Sequence, residues 1–537
     1  MYAWPFPTRI SLAFSLTLVG LFYLWREPYH LFQEPPLFWA GLGAGLLVFL
    51  GLFGFGPSLT AWAWWGFGIL TLLWSLAPGH TLVAALWEIW PLVALAAGRW
   101  RTGFLLLLAL LLLDGLYTAL ALWQTGLVTY VSGSHHYLLG ALALGALPLF
   151  LARVARRDAY PLASFLLATL ALYAALISGA RAVYLPLLLL LPLLAFRMAR
   201  EGLGLLRALL LLLALGTGVA FLEALVPGNA VLNALAFKAG LTQAEAQAQT
   251  AQGEGEGIPQ GEGEGIPSIG NAKARLLMWR LALRIALDHP LGTGNGSYSQ
   301  VFEAYMDYPG LDGVWSRSPH NYLLETLATG GFPRLALLLL LLWPAVRSFW
   351  DRDWPWALAV FGLWAPMLFD VSGFYPGYLT LAFLSLGTLG SSPTPRWAGI
   401  GGGLLALTLL LYWFWPCQGA ACAHRRLYFP PHVAQALAKT SPEGRSTLLR
   451  EAQKRYPLSP WPFVLALRHE KDPMARLQLA RELARHFPYA RESFYQAWAE
   501  AARALGNKEE TLLALETGLR HFPGSPALRR LRQELGP

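Results

Sequence analysis

Residues 271–331 read NAKARLLMWRLALRIALDHPLGTGNGSYSQVFEAYMDYPGLDGVWSRSPHNYLLETLATGG, and this polar stretch separates two apolar parts of the chain. Apolar residues recur at helical spacing through its first part, which predicts a helix. That helix is expected to end at residues 288–290, where a glycine-punctuated, flexible turn begins. A second predicted helix starts near residues 318–321 and ends at the glycines 330–331. Because its surroundings are apolar, this stretch is where we expect water-facing chemistry.

The composition of the chain is that of a membrane protein. Of its 537 residues, 55% are hydrophobic and 13% are charged, whereas soluble domains average about 25% charged residues. Apolar runs long enough to cross about 30 Å of hydrocarbon recur along the sequence. We therefore predict an all-α, polytopic helical membrane protein with about 12–13 transmembrane helices. The predicted spans are residues 8–25, 37–56, 58–76, 81–98, 102–123, 137–152, 160–178, 182–196, 204–222, 334–350, 355–371, 376–390 and 397–415.

The arginines between the predicted spans indicate the orientation of the chain. With the N-terminus in the cytoplasm, most of them fall in inner loops, and only Arg26 and Arg181 fall in short outer loops. This positive-inside asymmetry puts residues 271–331 outside the cytoplasm. The net charge of +9 therefore reflects topology, and no basic-aromatic motif suggests a nucleic-acid partner. The predicted location is the cytoplasmic (inner) membrane, with the polar stretch and the C-terminal domain extracytoplasmic.

Changes in composition divide the chain into four predicted parts. They are N-terminal transmembrane helices (1–224), a large extracytoplasmic loop with the catalytic motifs (225–333), C-terminal transmembrane helices (334–416) and a soluble helical domain (417–537). The loop contains a tandem repeat, QGEGEGIP, at residues 252–259 and 260–267. Its glycines and glutamates disfavour a buried core, so we expect an acidic linker or lid there.

The C-terminal domain shows a repeat pattern. Helix-ending pairs recur at Tyr456-Pro457, Phe487-Pro488 and Phe522-Pro523, spaced by 31 and 35 residues. This spacing is near the 34 residues of tetratricopeptide repeats, which the segment resembles. Two roles remain open for it: stabilising the outer loop, or holding a partner protein or the substrate. Cys417 and Cys422 follow the last predicted span, where an oxidising compartment would permit a disulfide.

The candidate site residues are Arg181, Arg275, Arg280, Arg284, His320 and Asn321. A histidine accepts or holds a proton near neutral pH, so His320 is the candidate catalytic residue. Arginines bind phosphate oxygens in bidentate fashion, which suits a substrate with concentrated negative charge. Plainer interpretations remain open. In these interpretations, Arg181 is an arginine at the end of a membrane span, and Arg275, Arg280 and Arg284 form the solvated face of a helix that lies on anionic lipid headgroups.

Several motifs of the chain resemble those of one known family. They are RLLMW (275–279), HPLGTG (289–294), HNYLLETLATGG (320–331), ISGARAVYL (177–185) and GLYTALALWQTG (115–126). In their order along the chain, these motifs resemble the O-antigen ligase and polymerase family, over roughly residues 100–390. The resemblance implies an integral membrane glycosyltransferase that takes a glycan from a polyprenyl (undecaprenyl) diphosphate carrier. It also implies that Arg181 and Arg275 hold the diphosphate while His320 serves the acceptor.

Three functions compete at this point. The first is a ligase that moves finished polysaccharide onto a lipid or other surface acceptor, as in lipopolysaccharide biosynthesis of the cell envelope. The second is an O-antigen or exopolysaccharide polymerase, or a protein O-oligosaccharyltransferase, which would use the same donor. The third is a transporter of lipid-linked glycans. It is disfavoured because the charges cluster in one outer loop instead of lining the middle of the bilayer.

The expected chemistry is metal-independent and inverting, and no cofactor is predicted. Arginines supply the positive charge that a cation supplies elsewhere. The adjacent His135 and His136 have no third ligand at a suitable spacing, so no metal site is predicted. The expected partners are the polyprenyl-diphosphate-linked glycan donor, a glycan, lipid or protein acceptor, membrane lipids, and a protein partner for the C-terminal domain.

Overall fold

Helices form almost all of the regular structure of this protein. The computed structural model describes residues 33–124, 130–131, 134–158, 160–178, 180–226, 230–231, 271–307, 318–390 and 395–535, together with residues 16, 20, 21, 24 and 31. The predicted all-α, polytopic class is confirmed; strands β1 (Tyr130–Val131) and β2 (Ser134–His135) form only a two-residue antiparallel hairpin. The predicted span 8–25 lies largely outside the described residues, and the acidic repeat (252–267) lies wholly outside them.

The α-helices follow the apolar runs through the first part of the chain and shorten after residue 414. The first set is α1 (Leu37–Leu52), α2 (Leu59–Leu70), α3 (Pro78–Trp87), α4 (Ile89–Ala97), α5 (Arg101–Gln124), α6 (His136–Ala155), α7 (Pro161–Ile177), α8 (Arg181–Met198), α9 (Leu205–Leu225), α10 (Asn271–Asp288), α11 (Tyr298–Tyr305), α12 (Tyr322–Ser348), α13 (Trp354–Trp364), α14 (Pro376–Gly387) and α15 (Arg396–Phe414). The second set is α16 (Gly419–Arg425), α17 (Pro430–Ala438), α18 (Pro442–Arg455), α19 (Trp461–His469), α20 (Pro473–His486), α21 (Glu492–Ala504), α22 (Lys508–His521) and α23 (Pro526–Glu534).

Seven helical segments of the described chain are long and apolar enough to cross a membrane. They are Pro78–Ala97, Arg101–Leu120, Leu138–Ala155, Ala182–Leu203, Leu205–Leu225, Tyr322–Ser348 and Arg396–Phe414. Five shorter apolar helices accompany them: Leu37–Leu52, Leu59–Leu73, Pro161–Ile177, Trp354–Leu368 and Pro376–Gly387. Each of these segments overlaps one predicted span, because length and apolar composition are local properties of the sequence.

The chain divides into two compact units. The first consists of Met1–Trp65, Leu86–Gly257 and Ala336–Leu411. Its helices approach closely where glycines meet: a Cβ on Gly51 of α1 would lie 2.5 Å from the carbonyl carbon of Gly399 in α15. Small residues allow such close approach between membrane helices.

Arginines of the predicted inner loops join helix ends within this first unit. Arg101 binds both carboxylate oxygens of Asp353, at 2.7 and 2.9 Å. Arg197 donates to the Asp351 carbonyl at 2.8 Å and is 5% exposed. These arginines therefore make specific packing contacts in addition to any role in topology.

The second unit consists of Gly66–Ala85, Ile258–Leu335 and Tyr412–Pro537. One hydrophobic cluster runs through it and includes Ala282 of α10, Tyr298 of α11, and Leu483 and Trp498 of the C-terminal helices. The C-terminal helices and the helices of residues 271–307 consequently share a core.

The C-terminal helices begin and end where their residue types favour it. Ser441, Asp472, Asn507 and Ser525 each accept a backbone N–H at a helix start, as N-cap side chains do. Three of these helices end just before the buried aromatic residues Tyr456, Phe487 and Phe522. The resemblance to tetratricopeptide repeats remains a prediction. Cys417 and Cys422, whose pairing the sequence left open, form a disulfide.

Candidate active site

Helix α12 is broken at its tenth residue. Gly331 has φ 70° and ψ −176°, a conformation that is essentially restricted to glycine. The break separates a polar first segment, which carries Glu325, from the apolar segment that begins at Phe332. A broken helix leaves backbone groups without intrahelical partners, and these groups need partners elsewhere.

The turn after α10 supplies those partners. Three backbone hydrogen bonds join the turn to α12: Thr293 N–H to Ala328 O at 3.2 Å, Gly294 N–H to Thr329 O at 2.9 Å, and Phe332 N–H to Pro290 O at 3.0 Å. The turn is also buried from Gly292 to Asn295. The sequence predicted a flexible turn; in the structure its glycines allow close backbone contact with the broken helix, since a Cβ on Gly292 would lie 2.3 Å from the Thr329 oxygen. We call residues 290–294 together with residues 328–332 the helix-break clamp.

A buried polar group lies beside this clamp. Arg334 is 2% exposed, and its guanidinium donates to the side-chain oxygen of Asn295. The Tyr298 hydroxyl donates to the Met278 carbonyl of α10 at 3.2 Å. Burial raises the pKa of Tyr298 well above its usual range, and the nearby Glu325 carboxylate adds to that rise. Tyr298 thus contacts α10 and is influenced by the Glu325 carboxylate of α12.

His320 stands at the entrance of α12 in an unusual backbone conformation. Its φ is 53°, in the left-handed region, and its N–H donates to the Ser318 hydroxyl at 3.2 Å. Asn321 caps the helix, because its side-chain oxygen accepts the Leu324 N–H at 3.0 Å. A non-glycine residue in this region costs on the order of 1–3 kcal/mol, and such residues cluster at functional sites. These two hydrogen bonds fix the backbone at the helix entrance that carries the partly buried His320.

Arg275 lies in the same region of the second unit. It is partly buried on α10, three residues before Met278, which is about 4.5 Å along a helix axis. Asn321 precedes Glu325 by four residues, or about 6 Å. Since Tyr298 contacts Met278, Arg275 lies about one helical turn from that contact. The Glu325 carboxylate, which raises the pKa of Tyr298, follows His320 by five residues.

Arg280 and Arg284 form a different group on α10. Arg280 is five residues from Arg275, so the two side chains leave the helix in different directions. The Asp307 carboxylate binds Arg280 at 2.6 Å and lies 3.6 Å from Arg284. The two arginines are 64% and 53% exposed. One carboxylate therefore balances part of their joint charge.

His289 makes a local contact at the end of α10. Its Nε2 lies 3.0 Å from the Tyr305 hydroxyl. Burial raises the pKa of Tyr305 to about 12, Asp288 adds to the rise, and Arg284 opposes it. The tyrosine accordingly stays protonated at neutral pH, and His289 helps to join α10 to α11.

Arg181 is the first residue of α8 and belongs to the first unit. Before it, the Ser178 hydroxyl donates to the Ala175 carbonyl at 2.7 Å and accepts the Ala180 N–H at 3.4 Å. Ala180 itself has an extended backbone, and this conformation starts the new helix. Arg181 thus begins a helix, directly after the turn that the sequence placed between two spans.

The sequence alone did not indicate the polar residues buried inside the second unit. Asn295, Tyr298 and Arg334 were not candidates, although all three are buried and hydrogen-bonded. One signal was available: Arg334 starts a predicted span at its outer end, against the positive-inside rule. Its partner Asn295 could not be identified from the sequence, since it lies 39 residues away in the chain.

Comparison with known proteins agrees with the motifs. Residues 163–341 match the family model described as O-antigen ligase, and no curated protein gives a significant match. The matched range is shorter than the stretch of roughly residues 100–390 over which the motifs resemble the family. It includes every candidate site residue from Arg181 to Asn321. It supports a membrane glycosyltransferase of the O-antigen ligase or polymerase type. The chain therefore matches, over residues 163–341, the model of the O-antigen ligase family.

Proposed function

We propose that this protein transfers a glycan from a polyprenyl diphosphate carrier to an acceptor hydroxyl on the outer side of the cytoplasmic membrane. The observation that carries the proposal is the left-handed backbone of His320 at a capped helix entrance, inside the O-antigen ligase domain. The location of Arg275 in the same unit supports it further. We favour a ligase acting on a lipid or other surface acceptor.

The proposed reaction is a direct displacement at the anomeric carbon. The acceptor oxygen forms the new bond to that carbon as its proton passes to His320, which acts as general base. The bond between the anomeric carbon and the diphosphate oxygen breaks, and the electron pair leaves with the polyprenyl diphosphate. A single displacement inverts the configuration of the anomeric carbon.

The arginines have the complementary role in this proposal. The diphosphate gains negative charge as it leaves, and a fixed guanidinium stabilises that charge more in the transition state than in the ground state. We assign this role to Arg181 and Arg275. Arg280 and Arg284 already share Asp307, so we expect them to contribute less.

Transfer in reconstituted vesicles tests these roles. His320→Ala should lower the transfer rate by about two to four decades, the usual contribution of a general base, and should leave binding of the lipid-linked donor intact. Arg275→Lys keeps the charge but loses the planar guanidinium, so it should weaken donor binding and lower the rate by about two decades. His289→Ala is the matched control, because His289 contacts Tyr305 and has no assigned role in transfer.

Several outcomes would contradict the proposal. Normal transfer by His320→Ala would remove the general base, and retention of the anomeric configuration would exclude a single displacement. Loss of wild-type transfer on adding a metal chelator would refute a metal-independent reaction. The choice between ligase and polymerase rests on the acceptor: a ligase needs the separate acceptor, whereas a polymerase lengthens the donor glycan when donor is supplied alone.

A further inference from the structure

The C-terminal helices enclose a cleft that sequence analysis did not predict. It has a volume of about 380 Å³ and lies between α17 and α19. Its walls include the Trp461 ring, the prolines Pro430 and Pro460, and the side chains of Arg468 and Arg491. No carboxylate is among the described residues that line it. Its volume falls within the range of small-molecule sites, about 300–1,000 Å³.

The chemistry of these walls fits a saccharide. A sugar ring has an apolar C–H face and polar edges, and an indole ring offers a broad apolar surface for such a face. Guanidiniums carry several N–H donors in a planar arrangement, which suits neighbouring hydroxyl or carboxylate oxygens. Proline has no backbone N–H, so the proline wall adds apolar surface without unsatisfied donors.

One ion pair connects this cleft to the candidate active site. Arg491 binds the Glu303 carboxylate of α11 at 2.9 Å, and Glu303 is only 7% exposed. On the same helix, Tyr298 contacts α10 at Met278, close to Arg275. Five residues separate Tyr298 from Glu303, or about 7.5 Å along the helix. The cleft and the part of α10 that carries Arg275 therefore contact opposite ends of a short helix, within one compact unit.

We propose that this cleft binds a segment of the donor glycan several sugars away from the one that reacts. This inference rests on the proposed function. The reacting sugar lies at the diphosphate, near Arg275 and His320, and the distal sugars of a long glycan extend along α11 to Trp461 and Arg468. The C-terminal helices thereby select long glycans over short ones.

Donor length provides the test. Full-length protein in vesicles is supplied with the lipid-linked glycan of its own host, fractionated into single repeating units and long chains. Arg468→Ala should raise KM for the long donor and leave kcat unchanged. The ratio of kcat/KM for long over single-unit donor should fall by about tenfold or more, the loss of one hydrogen bond to a charged group. Trp461→Phe keeps an aromatic ring of smaller area, and we expect a smaller loss of the same ratio.

Arg485→Ala is the matched control for the cleft. Arg485 is an exposed arginine on α20, in the same domain but outside the cleft, so its removal should leave the ratio unchanged. A wild-type protein that transfers neither donor refutes the proposed function itself. Transfer by the wild type with an unchanged ratio in Arg468→Ala overturns the cleft proposal alone. Loss of a co-purifying protein from Arg468→Ala, with transfer of both donors unchanged, would identify the cleft as a protein-docking site and also overturn it.

Discussion

The helix-break clamp makes a sharp prediction about Gly331→Ala. An alanine there would need φ near 70° and ψ near −176°, at a cost of about 1–3 kcal/mol. Its Cβ would also lie 2.3 Å from the Pro290 oxygen, where ordinary contacts are 3.4–4 Å. Relieving that overlap separates the turn from the broken helix and weakens the three backbone hydrogen bonds between them, each worth about 0.5–1.5 kcal/mol. We expect Gly331→Ala to lower the free energy of unfolding by about 3–5 kcal/mol in total.

Gly506→Ala is the matched control for the conformational part of this loss. Gly506 has φ +71°, close to that of Gly331, but a Cβ added there would meet nothing within 4 Å. Gly506→Ala should therefore lose only the energy needed to hold an alanine at positive φ, about 1–2 kcal/mol. Both glycines belong to the second unit, so the same unfolding transition reports on both.

The measurement is the apparent thermal midpoint of the purified protein, followed by tryptophan fluorescence, together with transfer activity. One kcal/mol lowers the midpoint by about 2–4 °C in a unit of this size. Gly331→Ala should thus lower it by about 10 °C and Gly506→Ala by about 4 °C. Transfer should fall only in Gly331→Ala, because the clamp holds the helix that begins beside His320. A midpoint for Gly331→Ala no lower than that of Gly506→Ala would refute the reasoning.

Two further predictions concern the C-terminal helices. Arg491→Ala removes the partner of the buried Glu303 carboxylate and should cost about 2 kcal/mol at pH 8. Burial raises the pKa of Glu303 while Arg491 lowers it. Without Arg491 the carboxyl therefore takes up a proton more readily, and the loss of unfolding free energy should become smaller toward pH 5. Thermal midpoints of wild type and variant from pH 5 to 8 check this prediction. In the double variant that also carries Glu303→Gln, the pH dependence should disappear. A loss of stability that is equal at all pH values would contradict the prediction. After reduction, a membrane-impermeant thiol reagent on intact spheroplasts should label Cys417 or Cys422; labelling only after lysis would locate the C-terminal helices in the cytoplasm.

Much of the architecture was predictable because it depends on local sequence. The apolar runs were recognisable by length and composition, and each membrane-length helix of the described residues overlaps a predicted span. The ends of the C-terminal helices at Tyr456, Phe487 and Phe522 also followed from short-range patterns. The family was identifiable for the same reason, since its motifs are short runs of adjacent residues.

The candidate site was predictable only in part. The sequence identified His320 as a residue at a helix entrance, but its left-handed backbone depends on Ser318 and on the cap of the following helix. It also grouped Arg280 and Arg284 with Arg275, whereas the structure joins those two to Asp307. Charge and residue type indicate which side chains can act, but the partner of each side chain decides which charges are already balanced.

What the sequence determined by itself was the membrane class, the order of the spans and the motifs of the family. The tertiary structure decided how the glycine-punctuated turn is used, because its hydrogen bonds reach residues about 35 positions further along the chain. It likewise decided that the C-terminal helices support α11, through an ion pair between residues 188 positions apart. Local periodicity reports which surface of a helix is apolar. It carries no information about which distant segment covers that surface, because that choice is made by packing of the whole unit.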